Sequence, residues 1–229
     1  MTESYLIESA FQLFAIMMVN LMLSGDNAII IAMACRNLAP IHQRKAILWG
    51  TGGAVVLRVV LTLVAAYLLT IPYLQFIGGA LLVWIAAKLL VDDAKESKVA
   101  ENSSFAGAIK TIIVADLVMS LDNTLAIAAI AQGHMWLLMV GLVMSIPIVV
   151  FGSTLLIKVM EKFPVVIYIG AGLIAWAAGI MIRSDGVIGP FFAVLGPKWI
   201  LPAIITASVI AIGFFWKKKA MALRASSAQ

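Results

Sequence analysis

The sequence predicts an all-α integral membrane protein: seven transmembrane helices, arranged as two inverted three-helix repeats with a seventh helix outside them. Three observations carry this. The 229 residues are 63% hydrophobic and 12% charged, with a mean hydropathy of +1.09, whereas soluble domains run about half apolar and about a quarter charged. The apolar runs reach about 20 residues or more and are rich in Gly and Ala, which suits helices packed closely in lipid. They lack the ~10-residue alternation of a transmembrane barrel. Finally, a polar motif inside one such run recurs in another: Ser24-Gly25-Asp26-Asn27 is followed ninety-six residues later by Ser120-Leu121-Asp122-Asn123.

The predicted spans are 8–34, 46–70, 73–91, 106–131, 135–157, 164–182 and 199–216. The first is read as retained, because the residues before it carry Glu3 and Glu8 but none of the Lys or Arg of a signal-peptide n-region. Residues 92–105 form a polar linker, residues 183–198 an irregular loop rich in Gly and Pro, and the last five residues a frayed tail. The organisation that follows is a first repeat over 1–91, a cytoplasmic linker over 92–105, a second repeat over 106–182, and an outer loop, seventh helix and tail over 183–229.

Thirteen of the sixteen basic residues fall on one set of connections, helix ends and tail, against Arg183 and Lys198 on the other, with Arg58 inside a span. The positive-inside rule then places the N-terminus outside and the C-terminus in the cytoplasm. It also explains the net charge of +5 without a nucleic-acid partner. Lys217-Lys218-Lys219 reads as a topology anchor, and Asp92 and Asp93 as solvated linker residues.

The repeat extends past the two motifs. Ile77-Gly78-x-x-Leu81-x-x-Trp84 matches Ile169-Gly170-x-x-Leu173-x-x-Trp176 at an offset of ninety-two, and Pro72 and Pro164 keep that offset. Trp84 and Trp176 are read as packing residues. Three spans per unit is an odd number, so the second unit must enter the membrane upside down, the plan of many secondary transporters whose sites lie near the midplane.

Asn20, Ser24, Asp26 and Asn27 align with Asp116, Ser120, Asp122 and Asn123. Positions i, i+4 and i+7 share a helix face, so Asn20, Ser24 and Asn27 form one polar stripe and Asp116, Ser120 and Asn123 another. Each aspartate of a motif sits about 100° from its neighbouring asparagine. A helix loosened at the motif would let both address one ligand; Gly25 permits that in the first half, whereas Leu121 occupies the equivalent place in the second. Every donor here is an oxygen or an amide, which suits Mg²⁺, Ca²⁺ or Mn²⁺ rather than metals drawn to imidazole or sulfur. His42, His134 and Cys35 lie at connections or helix ends, the lone cysteine excludes a disulfide framework, and the twelve methionines read as apolar filler.

Arg58 sits mid-span and needs a counter-charge at its own depth, where Asp26, Asp116 and Asp122 are the acids. Asp116 lies nearest the midplane. Three carboxylates and one guanidinium leave a formal −2, which one divalent cation neutralises. Protons compete for the same oxygens, the logic of a cation/proton antiporter. Interhelical hydrogen-bond glue accounts for Ser24, Ser120 and Asn20 but does not need three carboxylates. No nucleophile–base pair or prosthetic-group motif occurs, so an enzyme is not expected.

Ser24-Gly25-Asp26-Asn27-Ala28 with Ile29 to Ala32, and Asp116 to Asn123, resemble the two signature segments of the TerC family of integral membrane proteins, over nearly the whole chain and closest to its short bacterial branch. The resemblance implies a bacterial inner-membrane protein, Mn²⁺ export, and kinship with lysine-exporter-like transporters. It carries ion-pathway roles onto Asp26, Asn27, Asp122 and Asn123, with Asp116 next. The reading is thus of Mn²⁺, or another hard cation such as Ca²⁺, bound by Asp26, Asn27, Asp116, Asp122 and Asn123, with Asn20, Ser24, Ser120 and Arg58 in support. Two alternatives stay open: an exporter of a small organic cation or amino acid, and a non-transporting scaffold for metalation or insertion of other proteins. The bilayer, the cation, protons and a second copy in a homodimer are the partners considered.

Overall fold

The computed structural model describes residues 13, 25–68, 71–94, 104–131 and 135–227. Helix starts follow from local chemistry. Helix α1 spans Gly25–Cys35, and after a short turn α2 spans Pro40–Leu68. Pro40 occupies the first helical position, where a missing N–H forfeits nothing. Helix α3, Leu74–Ala94, follows Pro72 and Tyr73, the latter in a left-handed conformation at φ 64°. Helix α4 spans Phe105–Ala131, and the Gly107 N–H donates to Ser104 Oγ at 3.1 Å, an N-cap. Helix α5 is Met135–Lys162, α6 is Val165–Ser184, a 3₁₀ helix covers Gly189–Leu195, and α7 is Ile200–Ser227.

The all-helical membrane class holds: no strand occurs among the described residues. Five stretches there are long and apolar enough to cross a membrane: Pro40–Thr62, Leu74–Val91, Met139–Lys162, Val165–Ser184 and Ile200–Lys218. Several boundaries move outward. Helix α7 continues to Ser227, through a tail expected to fray, because the Lys, Ala, Met, Leu and Arg after Trp216 are strong helix formers uninterrupted by Gly or Pro. Asp92 to Ala94, expected in the linker, are the last turn of α3, and residues 95–103 lie outside the described part. The loop expected over 183–198 contains the 3₁₀ helix.

The helices group into two compact units, each drawing on both halves of the chain. The first holds α1, α2, α4 and α5 as far as Ile157; the second holds α3, α6, the 3₁₀ helix and α7. In the first unit α2 lies against α4 and α1 against α4, and Ala32, Ala46, Ile47, Ile112 and Ala115 are exposed by 1% or less. A Cβ on Gly50 would stand 2.7 Å from Ile112 Cδ1, so the absent side chain lets the two helices close. In the second unit α6 is the central helix, packed on α3 and α7, with Ala171, Ile174, Ala175 and Ala178 fully enclosed. A Cβ on Gly179 would reach 2.5 Å from the Cα of Pro202, which is backbone and has no room to yield.

The matched segments of α3 and α6 share a burial pattern. Gly78 and Gly170 are buried while Ile77, Ile169, Trp84 and Trp176 are exposed. The tryptophans lie outside the cores of the unit, and Lys88 Nζ sits 5.2 Å from the Trp84 ring.

Candidate functional site

Apolar sequence surrounds Asn27, Arg58, Asp116 and Ser120, yet the fold of the first unit brings all four together. Helix α1 carries Asn27, α2 carries Arg58, and α4 carries Asp116 and Ser120 one turn apart on a single face. All are buried, and Arg58 is only 3% exposed. A charge so placed must be paired and hydrogen-bonded. Asp116 Oδ1 accepts from Arg58 Nη2 at 2.5 Å and from Asn27 Nδ2 at 2.7 Å. Its Oδ2 accepts from Ser120 Oγ at 3.1 Å, and that same hydroxyl oxygen accepts from Arg58 Nε at 2.9 Å. The Thr62 hydroxyl donates to the Arg58 carbonyl at 2.8 Å, satisfying the local backbone.

A carboxylate offers about four lone-pair directions. Asn27, Arg58 and Ser120 take three, so Asp116 keeps about one open. Beside it lies a cavity of about 20 Å³, with a polar wall of Asn27, Thr51, Arg58, Asp116 and Ser145 and an apolar wall that includes Ile31, Ile112 and Val149. That is room for about one water or one bare ion. Thr51 is 5% exposed, and its Oγ1 has no hydrogen-bond partner among the described residues. Ser145 Oγ donates to Leu142 O at 2.7 Å. Two residues on, Pro147 sits inside α5 and supplies no N–H to the Val143 carbonyl, so the ladder is interrupted beside the cavity.

Of the residues singled out in the sequence, Asn27, Arg58, Asp116 and Ser120 converge. Asn20 and Ser24 lie outside the described residues. Asp26, Asp122 and Asn123 are on helical backbone, in α1 and α4, while their side chains are outside the described part. The loosening considered at the two motifs is absent from α4, which is unbroken from Phe105 to Ala131, and α1 is helical from Gly25 onward, with residues 22–24 outside the described part. Leu121 has a Cβ and full helix propensity, so nothing local opens the ladder there. Thr51 and Ser145 went unnoticed, although both are polar residues in membrane-length runs. Thr51 stands seven residues before Arg58, two turns earlier on the same face. Among the described residues no three His, Cys, Asp or Glu side chains gather as a metal cluster, and the donors at the cavity are oxygens and amides.

The second unit has a buried acid of its own. Asp185, 3% exposed, follows the last residue of α6. Its Oδ1 accepts from the Val187 and Ile188 N–H groups, both at 2.9 Å, and its Oδ2 accepts from the Phe76 N–H in the first turn of α3 at 3.1 Å. Burial pushes its carboxyl up, but the backbone donors of Ile188, Val187 and Phe76 outweigh this and hold it below the usual 3.8. Nearby, Arg183 Nη1 donates to Gly189 O at 2.8 Å. This carboxylate closes a loop and caps a helix, with all its partners inside the protein.

A guanidinium–carboxylate pair enclosed by membrane-length helices, next to a polar cavity of single-ion size, belongs to an integral multi-pass membrane protein with a buried polar site. The chain is a member of the TerC family of integral membrane proteins, whose pattern matches residues 5–221. It is 39% identical over 219 residues to the uncharacterized membrane protein YjbE of Bacillus subtilis, covering 95% of this chain and 99% of that one. YkoY of the same organism is 24% identical over 187 residues, 72% of this chain and 57% of its own length. The UPF0053 inner membrane protein YgdQ of Escherichia coli is 24% identical over 165 residues, 64% of this chain and 69% of its own. No solved structure matches.

Proposed function

We propose that this protein exports a divalent cation, Mn²⁺, from the cytoplasm across the bacterial inner membrane. The observation that carries the reading is the cavity of the first unit. There a carboxylate with an open acceptor direction, an amide and hydroxyl oxygens face a space the size of one ion within membrane-length helices. Oxygen donors select hard cations; the choice of Mn²⁺ over Ca²⁺ rests on the family. Asp26 and Asp122 supply further negative charge, with Asn27 and Asn123 as neutral ligands and Asn20 and Ser24 lining the pathway. The ion is cargo, and no resident prosthetic group or chemical reaction is part of the proposal.

In this reading the chain crosses the membrane seven times, N-terminus outside and C-terminus in the cytoplasm, as two inverted repeats and a further helix. The common burial pattern of α3 and α6 supports the repeat. Alternating access moves the site between the two faces, and exchange with protons supplies the energy. The engagement of Arg58 by Asp116 speaks against an amino-acid substrate, whose carboxylate would need that guanidinium.

The test is Mn²⁺ uptake into inverted vesicles, with Ca²⁺ and Zn²⁺ as competitors and a pH gradient imposed. Wild-type vesicles should accumulate Mn²⁺, and Asp26→Ala and Asp122→Ala vesicles should not. Equal uptake in the variants and the wild type would remove these carboxylates from the pathway. Absence of flux in proteoliposomes of the pure protein would favour a scaffold instead.

A further inference from the structure

We infer that Arg58 is a tethered cation that occupies Asp116 whenever the transported ion is absent, and that Thr51 is a ligand of that ion. This rests on the transport reading above and specifies how its site is emptied. The observations are geometric. Arg58 comes from a different helix than Asp116, is nearly sealed from solvent, and makes its shortest hydrogen bond to Oδ1 of Asp116, a residue that lines the cavity. Its Nε holds Ser120 Oγ, one turn further along α4. The guanidinium therefore has a second acceptor to keep when it lets go of the carboxylate.

The cavity has the complementary features. It admits one small body, and its walls present the Asp116 carboxylate on α4 and the Thr51 hydroxyl on α2. Thr51 Oγ1 is buried without a hydrogen-bond partner among the described residues, an arrangement that is unfavourable unless something occupies the cavity at least part of the time. Asn27 and Ser145 complete the oxygen-bearing wall. A serine or threonine with no ligand to hold commonly bonds the carbonyl one turn back in its own helix, as Thr62, Ser153 and Thr154 do.

Charge accounting gives the exchange its direction. With Arg58 on Asp116 the pair is neutral and stable in a low-dielectric interior. A dication arriving at Asp116 repels the guanidinium, which retreats to Ser120; when it returns, it displaces the ion. Arg58 thus weakens binding and promotes release, so that the site does not become a trap. A ligand competing with a closed state loses apparent affinity in proportion to the scarcity of the open state.

Mn²⁺ titration of the purified full chain, together with efflux from reconstituted vesicles, tests this. Arg58→Gln should bind Mn²⁺ at least about tenfold more tightly than wild type and carry it at least about tenfold more slowly. Arg58→Lys keeps the charge but lacks the fork that spans Asp116 and Ser120, and should bind several-fold more tightly while still transporting. Thr51→Val, nearly isosteric, should weaken binding at least about tenfold, and Thr51→Ser should restore it. If wild type binds Mn²⁺ and neither Arg58 variant binds it more tightly, the tethered-cation role is overturned. If Thr51→Val binds as wild type does, the hydroxyl is not a ligand. If the wild-type chain binds no Mn²⁺ at all, the transport reading itself fails, and this inference with it.

Discussion

Replacing Asp116 by leucine leaves Arg58 buried, with Nη2 facing a hydrocarbon side chain, and removes the carboxylate to which Asn27 and Ser120 donate. Breaking a buried ion pair from one side costs about 3–5 kcal/mol, most of it the desolvated charge left behind. Arg58→Met has a similar cost of about 3–5 kcal/mol from the opposite side, eased by the donors that still reach Asp116. Removing both charges at once strands nothing. The double variant Arg58→Met, Asp116→Leu should therefore be more stable than either single variant by at least about 2 kcal/mol. The assay is equilibrium unfolding of the purified protein in mixed detergent, followed by tryptophan fluorescence for the four members of the cycle. The double variant should fold well and carry no Mn²⁺, separating the stability of the pair from its function. If the double variant is less stable than both single variants, the two side chains are not energetically coupled and the account of the site is wrong.

Two further outcomes follow from single residues. Thr51→Val removes a buried hydroxyl with no partner among the described residues. It should raise the unfolding free energy by about 1 kcal/mol even as it lowers cation affinity, an opposition that thermal unfolding with and without Mn²⁺ will reveal. Asp185→Ala strips a shared acceptor from Phe76, Val187 and Ile188 and should cost about 2–3 kcal/mol at pH 7. Because the folded carboxyl lies below 3.8, its stabilisation is complete above that pH and fades as the pH falls through the folded value. The gap between variant and wild type in a pH series of unfolding midpoints should narrow only in that acidic range.

Composition and hydrophobic run length made the helical membrane class legible, because lipid leaves helices few competitors. Arg58 was legible for the same reason: a charge in mid-span requires a partner, and the acids at its depth are few. Asp116 then stood out as that partner, with Ser120 one turn along its face. Thr51 and Ser145 were hidden because hydroxyls are common in membrane helices and usually bond their own backbone. Only the missing partner of Thr51 among the described residues distinguishes it, and that is a property of four helices meeting. The helix through Leu121 stays closed, as the sequence difference from Gly25 suggested, because a leucine there keeps full helix propensity. Asp185 was unreadable, since a short loop sequence does not reveal which distant N–H groups will converge on its acid.

The Arg58–Asp116 pair joins residues 58 positions apart, which bears on how the protein is made. At a synthesis rate of about 5–20 residues per second, the arginine is exposed to the insertion machinery for roughly 3–12 s before its aspartate exists. Placing an arginine at the centre of a nascent helix costs about 2.5–3.5 kcal/mol on insertion scales, which the apolar residues flanking Arg58 can offset while α2 waits. The nascent first half carries the guanidinium without the carboxylate that pairs with it in the finished fold, and α4 delivers that carboxylate later. A chain arrested before residue 116 would hold Arg58 in the bilayer without Asp116, its ion-pair partner in the finished fold.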